Sequence, residues 1–267
     1  MPTLPTITKR QDDILQLLYN YRFLNRTQLQ AFLGHSTKGH TNRLLKDLSD
    51  KHYIEGKYST KVGDNIRPAI YYLSLGAIQY FKSRPEAQPA IINRLYRDND
   101  RSKDFINKCL LVADIALELQ KARTHTLRFE VATPSMYANP ESRAHFLTSS
   151  SVTPDAIVVQ DKAGEYKAYM LEFLTPGMPV HRLHGKVNAY LDLYFSGSWE
   201  QNTGLDFPEI IIIAGSVAQL RETHRYLQVR RNQEPGAEDF QMKQILSSRL
   251  KATGISPYID QEKTARH

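Results

Sequence analysis

The order of helical and strand-like patterns in the first third of the chain constrains the fold more than any other feature. The first of three segments with apolar residues at helical spacing begins at a capping box formed by Thr8 and Gln11. Gly34 separates the second segment from the third, and strand-like runs at 53–58 and 70–73 follow. Three helices and a β-hairpin, with a short Gly-containing turn between the second and third helices, predict a winged helix-turn-helix.

The third helix of such a module is the element expected to enter the major groove of double-stranded DNA. Arg and Asn side chains can form paired hydrogen bonds with base edges, whereas Lys mostly contacts phosphate. A winged helix used for protein contacts and an ordinary solvated basic surface are the alternatives. The predicted DNA-binding residues lie on this helix and on the hairpin: Lys38, His40, Asn42, Arg43, Lys46, Lys57, Tyr58, Lys61 and Arg67.

The distribution of charge supports a nucleic-acid partner for this module. The 267 residues carry a formal charge of +7. Residues 1–84 hold 13 Lys and Arg against 6 Asp and Glu, so they contain the whole surplus. The remaining residues hold 22 of each sign. A basic module joined to an electrically balanced one is typical of a chain that binds nucleic acid through one half.

Cysteine content and hydropathy indicate the compartment. Cys109 is the single cysteine, which excludes an internal disulfide and a zinc site built on Cys. The beginning of the chain has no basic segment followed by an apolar core, so a signal peptide is not expected. Apolar runs such as 210–214 are far shorter than the roughly 20 residues of a membrane helix. A cytoplasmic protein without membrane contact is therefore expected.

The second part of the chain changes from helical to strand patterns. An α/β class is expected, in an α+β two-domain arrangement: a winged helix over 1–83, a linker over 84–100, and an αβββαβα domain over 101–267. The segments that give this order are 102–123, 126–132, 156–159, 166–173, a helix from His181, 210–214 and 217–230.

Asp155, which follows a proline at a strand start, and Glu172, in the next strand, resemble the acids of the restriction-endonuclease-like fold. In that fold an Asp and a Glu hold a divalent metal, and a Lys two residues after the Glu assists hydrolysis. Leu174 occupies that Lys position, and Lys186 on the next helix would replace it if its side chain turned inward. Asp155, Glu172 and Lys186 are thus the candidate catalytic residues, with the two acids as ligands of Mg²⁺. No cofactor is expected without this activity.

Other interpretations of the acidic residues stay open. Asp114 and Glu118, four residues apart on the preceding helix, are candidates for a further acid. Pro-Asp pairs are also common at strand starts, and a Glu in a strand can simply face solvent. The incomplete motif favours a degenerate nuclease scaffold that serves DNA contact or protein assembly.

Several motifs together resemble the plasmid replication-relaxation family. The resemblance covers roughly residues 8–230 and implies a DNA-associated protein of plasmids or integrative elements, with replication or mobilisation proteins as partners. Leu174 stands where that family tends to have a second acid. The matching motifs are Tyr71-Tyr72-Leu73 with Gly76, Pro154-Asp155, Leu171-Glu172-Phe173, the helix over 186–194, and Phe207-Pro208-Glu209-Ile210.

Three functions follow from the sequence. The first is sequence-specific DNA binding in the replication, mobilisation or transcriptional control of a plasmid or mobile element. The alternatives are a metal-dependent endonuclease of the PD-(D/E)XK type and a protein–protein adaptor. A winged helix commonly binds a two-fold DNA site as a dimer, so a homodimer is expected.

Overall fold

The computed structural model describes residues 4–58, 68–84, 87–139, 142–147 and 152–259. The chain divides into two compact units, and each is described by itself. Unit 1 comprises Met1–Leu117 with Ala138–Ser142, and unit 2 comprises Glu118–Tyr137 with Arg143–His267. The first division therefore falls later in the chain than the predicted end of the linker at residue 100.

Unit 1 contains the predicted three helices and hairpin, together with a two-residue strand that the sequence pattern missed. The three strands form a small antiparallel sheet in the order β1-β3-β2. This is the arrangement of a winged helix-turn-helix. Its elements are α1 Lys9–Tyr21, β1 Leu24–Asn25, α2 Arg26–Phe32, α3 Lys38–Asp50, β2 Ile54–Lys57, β3 Ile70–Leu73, α4 Leu75–Lys82, α5 Pro89–Leu95 and most of α6 Lys103–Lys121.

The predicted capping box at the start of α1 is present and also positions α3. The side chain of Thr8 accepts the Gln11 backbone N–H, and Gln11 Oε1 accepts the Thr8 N–H at 2.9 Å. The amide nitrogen of the same Gln11 side chain, which is buried, donates to the carboxylate of Asp47 on α3. One side chain therefore both starts α1 and fixes α1 against α3.

A second capping box at the start of α2 has the same design. Gln28 Oε1 accepts the Asn25 N–H at 3.0 Å, and the Asn25 side chain accepts the Gln28 N–H at 2.9 Å. Gln28 Nε2 then donates to Leu110 O at 2.8 Å and to Asp114 Oδ1 at 2.6 Å, both on α6. The position of α2 is thus fixed by a side chain that is 3% exposed.

Replacing Gln28 with Ala is expected to lower the free energy of unfolding of unit 1 by about 1–2 kcal/mol, because the capping interaction and the hydrogen bonds to α6 are lost together. The measurement is amide hydrogen exchange in α1–α4. Gln16→Ala is the control, since Gln16 is only partly buried and bonds within α1 to Asn20. Equal effects of the two substitutions would contradict the role given to Gln28.

The segment after α4 is a packed part of unit 1 and not the predicted linker. Pro89, interpreted as a linker residue, is the first residue of α5, a position that suits the fixed φ of proline. Ile91, Ile92 and Leu95 on this helix are buried. Because the apolar side chains of α5 are covered, residues 87–100 form part of a core and cannot act as a flexible connection.

Unit 2 is built on a five-stranded mixed sheet in the order β4-β5-β6-β7-β8. The strands β4 to β6 are antiparallel neighbours, whereas β7 and β8 each run parallel to the preceding strand. The order α-β-β-β-α-β-α along the chain is confirmed, and the structure adds β8 and several short helices. The elements after α6 are β4 Leu127–Ala132, α7 Pro134–Tyr137, a 3-10 helix Arg143–Leu147, β5 Ala156–Lys162, β6 Glu165–Leu174, α8 Val180–Ser196, α9 Ser198–Thr203, β7 Glu209–Ala214, α10 Val217–Gln233, a 3-10 helix Ala237–Asp239, β8 Met242–Leu246, α11 Ser247–Thr253 and α12 Ser256–Ile259.

The core of unit 2 includes the single tryptophan of the chain. Trp199 lies in α9, is 1% exposed and donates from Nε1 to Asp206 O at 3.0 Å, so it has a packing role. Since unit 1 has no Trp, the fluorescence of Trp199 reports on unit 2 alone. Across the described residues, no helix has the length and apolar character needed to span a membrane.

Candidate functional site

The α3 helix presents a polar and basic face. Lys38, Asn42, Arg43 and Lys46 are exposed, whereas Thr41, Leu45 and Leu48 of the same helix are buried. Arg43 Nη2 lies 3.2 Å from Nδ1 of His40. Within the described ranges, Lys38, Asn42 and Lys46 have no hydrogen-bond or ion-pair partner. These side chains are therefore available to a ligand.

A glycine near the start of α3 has no packing explanation within the protein. Gly39 is exposed, and a Cβ built on it would meet no described atom within 4 Å. Glycine is unfavourable in a helix relative to alanine, by up to about 1 kcal/mol in helix interiors. The helix is preceded by Thr37, which makes no capping hydrogen bond. Gly39 leaves room for the backbone of a partner to approach α3 closely.

Two residues outside the predicted set contribute to this end of α3. The rings of His35 and His40 meet edge to face with centroids 4.5 Å apart, and His35 Nδ1 lies 3.0 Å from Thr41 Oγ1. Burial lowers the pKa of His35, and the charges of His40 and Arg10 lower it further. Arg10 and His35 were missed because neither belongs to the periodic pattern of α3; the fold brings them to it.

The hairpin residues differ in their availability. Tyr58 is 70% exposed, and its ring lies over Gly56, where a Cβ would meet it at 3.0 Å. Lys57 was predicted to contact DNA, but its Nζ donates to Asn99 O at 2.6 Å and lies over the ring of Tyr72. The structure thus ties Lys57 to its own unit. The predicted contacts Lys61 and Arg67 lie outside the described residues.

In unit 2 the structure brings Glu172 and Lys186 together. Glu172 on β6 is 2% exposed, and its Oε1 accepts from Lys186 Nζ on α8 at 2.5 Å. Its Oε2 accepts from Tyr190 OH at 2.9 Å. Asp155, at the start of β5, accepts the Phe173 backbone N–H at 2.9 Å through Oδ2. The inward turn considered for Lys186 is therefore the conformation that the structure shows.

Burial dominates the electrostatics of this cluster. It raises the pKa of Glu172 to about 7, with a further increase from the carboxylate of Asp155, although Lys186 and Tyr190 stabilise the ionised form. Burial and the neighbouring Glu172 carboxylate also raise the pKa of Tyr190 well above its usual value. Near neutral pH, Glu172 therefore populates both the protonated and the ionised form.

The donor set does not fit a divalent metal. Mg²⁺ requires several hard oxygen ligands, but each carboxylate oxygen of Glu172 already accepts from Lys186 or Tyr190. In the part of the chain that is described, no three His, Cys, Asp or Glu side chains are grouped to hold a metal ion. No metal-dependent step can be assigned to this cluster.

The candidates for a further acid serve structural roles. Asp114 accepts from Gln28 on α2, as described above. Glu118 accepts the backbone N–H groups of Ile255 and Ser256 at 2.9–3.0 Å and so caps the start of α12. These carboxylates are committed to positioning helices within their own units.

Comparison with known proteins places the chain in a family. One solved structure, titled "Structure of restriction endonuclease FokI", is similar at 12% identity and a TM-score of 0.28. The match covers 84% of this chain and 42% of that chain, so this chain spans less than half of its length, and a likeness this low supports no conclusion. No curated protein matches the sequence. Residues 15–210 match the replication-relaxation family, and the chain belongs to that family.

Proposed function

We propose that the protein binds double-stranded DNA sequence-specifically through α3. It acts in the replication or mobilisation of a plasmid or mobile element, or in the transcriptional control of these processes. The observation that carries the proposal is the exposed face of α3, where Lys38, Asn42 and Lys46 have no partner among the described residues. Membership of the replication-relaxation family supports the process.

Each side chain of α3 has a role that follows from its chemistry. Asn42 and Arg43 contact base edges, since an amide and a guanidinium can each form two hydrogen bonds with one base. Lys38 and Lys46 contact phosphates and set the register. Gly39 allows the DNA backbone to approach the start of the helix. Two copies of the chain bind a two-fold site, and replication or mobilisation proteins are the partners of the complex.

Replacing Arg43 and Lys46 with Ala is expected to weaken binding to a selected DNA site by about tenfold or more, because a base contact and a phosphate contact are lost. The site is obtained by selecting bound fragments from random DNA, and affinity is measured by fluorescence anisotropy. Lys82→Ala with Lys103→Ala is the control, since it removes the same charge from other surfaces of unit 1.

A substitution of Gly39 provides a second variant for the same binding assay. Gly39→Ala is expected to leave the free energy of unfolding of unit 1 unchanged or slightly higher, because alanine favours helix formation. The same substitution is expected to weaken DNA binding. Unchanged affinity in both α3 variants would reject α3 as the recognition helix. A protein with no DNA affinity even at low salt would instead be the adaptor considered above.

A further inference from the structure

The helices α8 and α10 of unit 2 lie side by side and contact each other through two pairs of side chains. His184 Nε2 is 2.6 Å from Glu222 Oε1, and Tyr226 OH donates to Asn188 Oδ1 at 3.0 Å. The residues of the second pair each lie four positions after those of the first pair, so the two helices run parallel. This is required by their position, since each connects neighbouring parallel strands.

The outer face of these helices has unneutralised positive charge. Lys186 pairs with the buried Glu172, and Arg225 Nη2 pairs with Glu222 at 2.6 Å. Arg182 and Arg221 are exposed, and their side chains have no hydrogen-bond or ion-pair partner in the described part of the chain. His181 and His224 are exposed beside them. Arg182 and Arg221 are therefore two exposed, unpaired cations on neighbouring helices.

A glycine lies in the middle of this face without a structural reason. Gly185 is in the interior of α8 and exposed, and a Cβ built on it would meet no described atom within 4 Å. Glycine in a helix interior is less stable than alanine, so the fold alone disfavours it. A surface that lets another backbone approach closely between cationic side chains explains its presence.

We propose that this face of α8 and α10 is a second DNA-contact surface, which binds the phosphate backbone of duplex DNA without reading sequence. Arg182 and Arg221 supply the charge-assisted hydrogen bonds to phosphate, and Gly185 supplies the close approach. The surface belongs to unit 2, whose overall charge is balanced. Binding at this surface does not depend on α3.

The test measures binding of the full chain to a random-sequence DNA duplex over a range of salt concentrations. Removing two phosphate contacts with Arg182→Ala and Arg221→Ala should reduce the slope of log affinity against log salt by about 2 and weaken binding at low salt. The control is Arg249→Ala with Lys251→Ala, which removes two exposed charges from α11 of the same unit. Trp199 fluorescence verifies that unit 2 is folded in each variant.

Gly185→Ala separates binding from stability. It should raise the thermal midpoint reported by Trp199, because alanine stabilises α8, and it should weaken DNA binding several-fold. A binding loss caused by misfolding would lower that midpoint instead. Binding that is unchanged in both the Gly185 variant and the arginine variant overturns the proposal.

Combining the arginine variant with the α3 variant distinguishes this proposal from the previous one. Loss of binding only in the α3 variant rejects the second surface and leaves the proposed function intact. Loss only in the variant of Arg182 and Arg221 supports the second surface and rejects α3. Losses in both, with a larger loss when they are combined, support two separate contacts.

Discussion

Replacing Asp98 with Asn is expected to lower the free energy of unfolding of unit 1 by about 3 kcal/mol, because it removes the buried carboxylate that pairs with two partly buried arginines. Asp98 is 1% exposed and forms ion pairs with Arg22 and Arg101. Both guanidinium groups lie over the ring of Phe105, at 4.6 and 4.7 Å from its centroid. In the variant, both guanidinium groups stay near the same ring without the carboxylate that neutralises them.

The neighbouring Asp100 provides the matched control, because it is exposed and its removal should change stability by less than about 0.5 kcal/mol. Hydrogen exchange in α1–α4 measures the effect in unit 1, and Trp199 should report no change in unit 2. If Asp98→Asn were no more destabilising than Asp100→Asn, Asp98 would not hold the two arginines.

Asp98→Asn should also weaken the DNA binding proposed for α3, because residues 98 and 99 contact both the end of α1 and the hairpin. Arg22 is the residue at which α1 ends, and its backbone has a positive φ of 68°. The next residue after Asp98, Asn99, accepts from Tyr72 OH at 2.9 Å on β3 and from Lys57 on β2. The segment over 98–99 therefore joins the end of α1 to the base of the hairpin, on either side of the α2–α3 pair.

The sequence could not distinguish this buried ion pair from solvated charge. Asp98 lies within the predicted linker over 84–100, and only the fold shows which charges of that segment are covered. The periodic elements α1, α3 and β7 were predicted well, because apolar spacing records which face is buried. Short elements have too few residues to show a periodic pattern. The strand β1 has two residues, and the six-residue α9 is bounded by two glycines.

Lys186 shows how much helical periodicity can predict about the contacts within a site. Leu183, Val187 and Tyr190 lie on the buried face of α8 at helical spacing, and Lys186 falls beside that face. The reach of a lysine side chain let it be considered as a partner of Glu172, and the contact is present. The hydrogen bond from Tyr190 was missed, since an aromatic residue at helical spacing indicates only packing.

Glu172→Gln is expected to change the pH dependence of stability in unit 2 by about 3 kcal/mol between pH 4.5 and pH 8. The pKa of Glu172 is about 7 in the folded protein, against 4.5 for an unperturbed Glu. Between these values the folded state holds a proton that the unfolded chain has released. The contribution of Glu172 to the free energy of unfolding is therefore full below pH 4.5 and falls as the pH rises to 7. A glutamine cannot titrate, so the variant gains stability relative to the wild type over this range.

The measurement is urea unfolding followed by Trp199 fluorescence at several pH values, with Glu165→Gln as the control. Glu165 is at the exposed end of the same strand, so its substitution should give a difference from wild type that is flat with pH. A flat difference for Glu172→Gln as well would contradict the raised pKa and show that Lys186 keeps the carboxylate ionised. The expected slope instead means that Glu172 is partly protonated at neutral pH. A carboxyl group in that state is a poor ligand for Mg²⁺, so the same titration also tests whether Glu172 is available as a metal ligand near neutral pH.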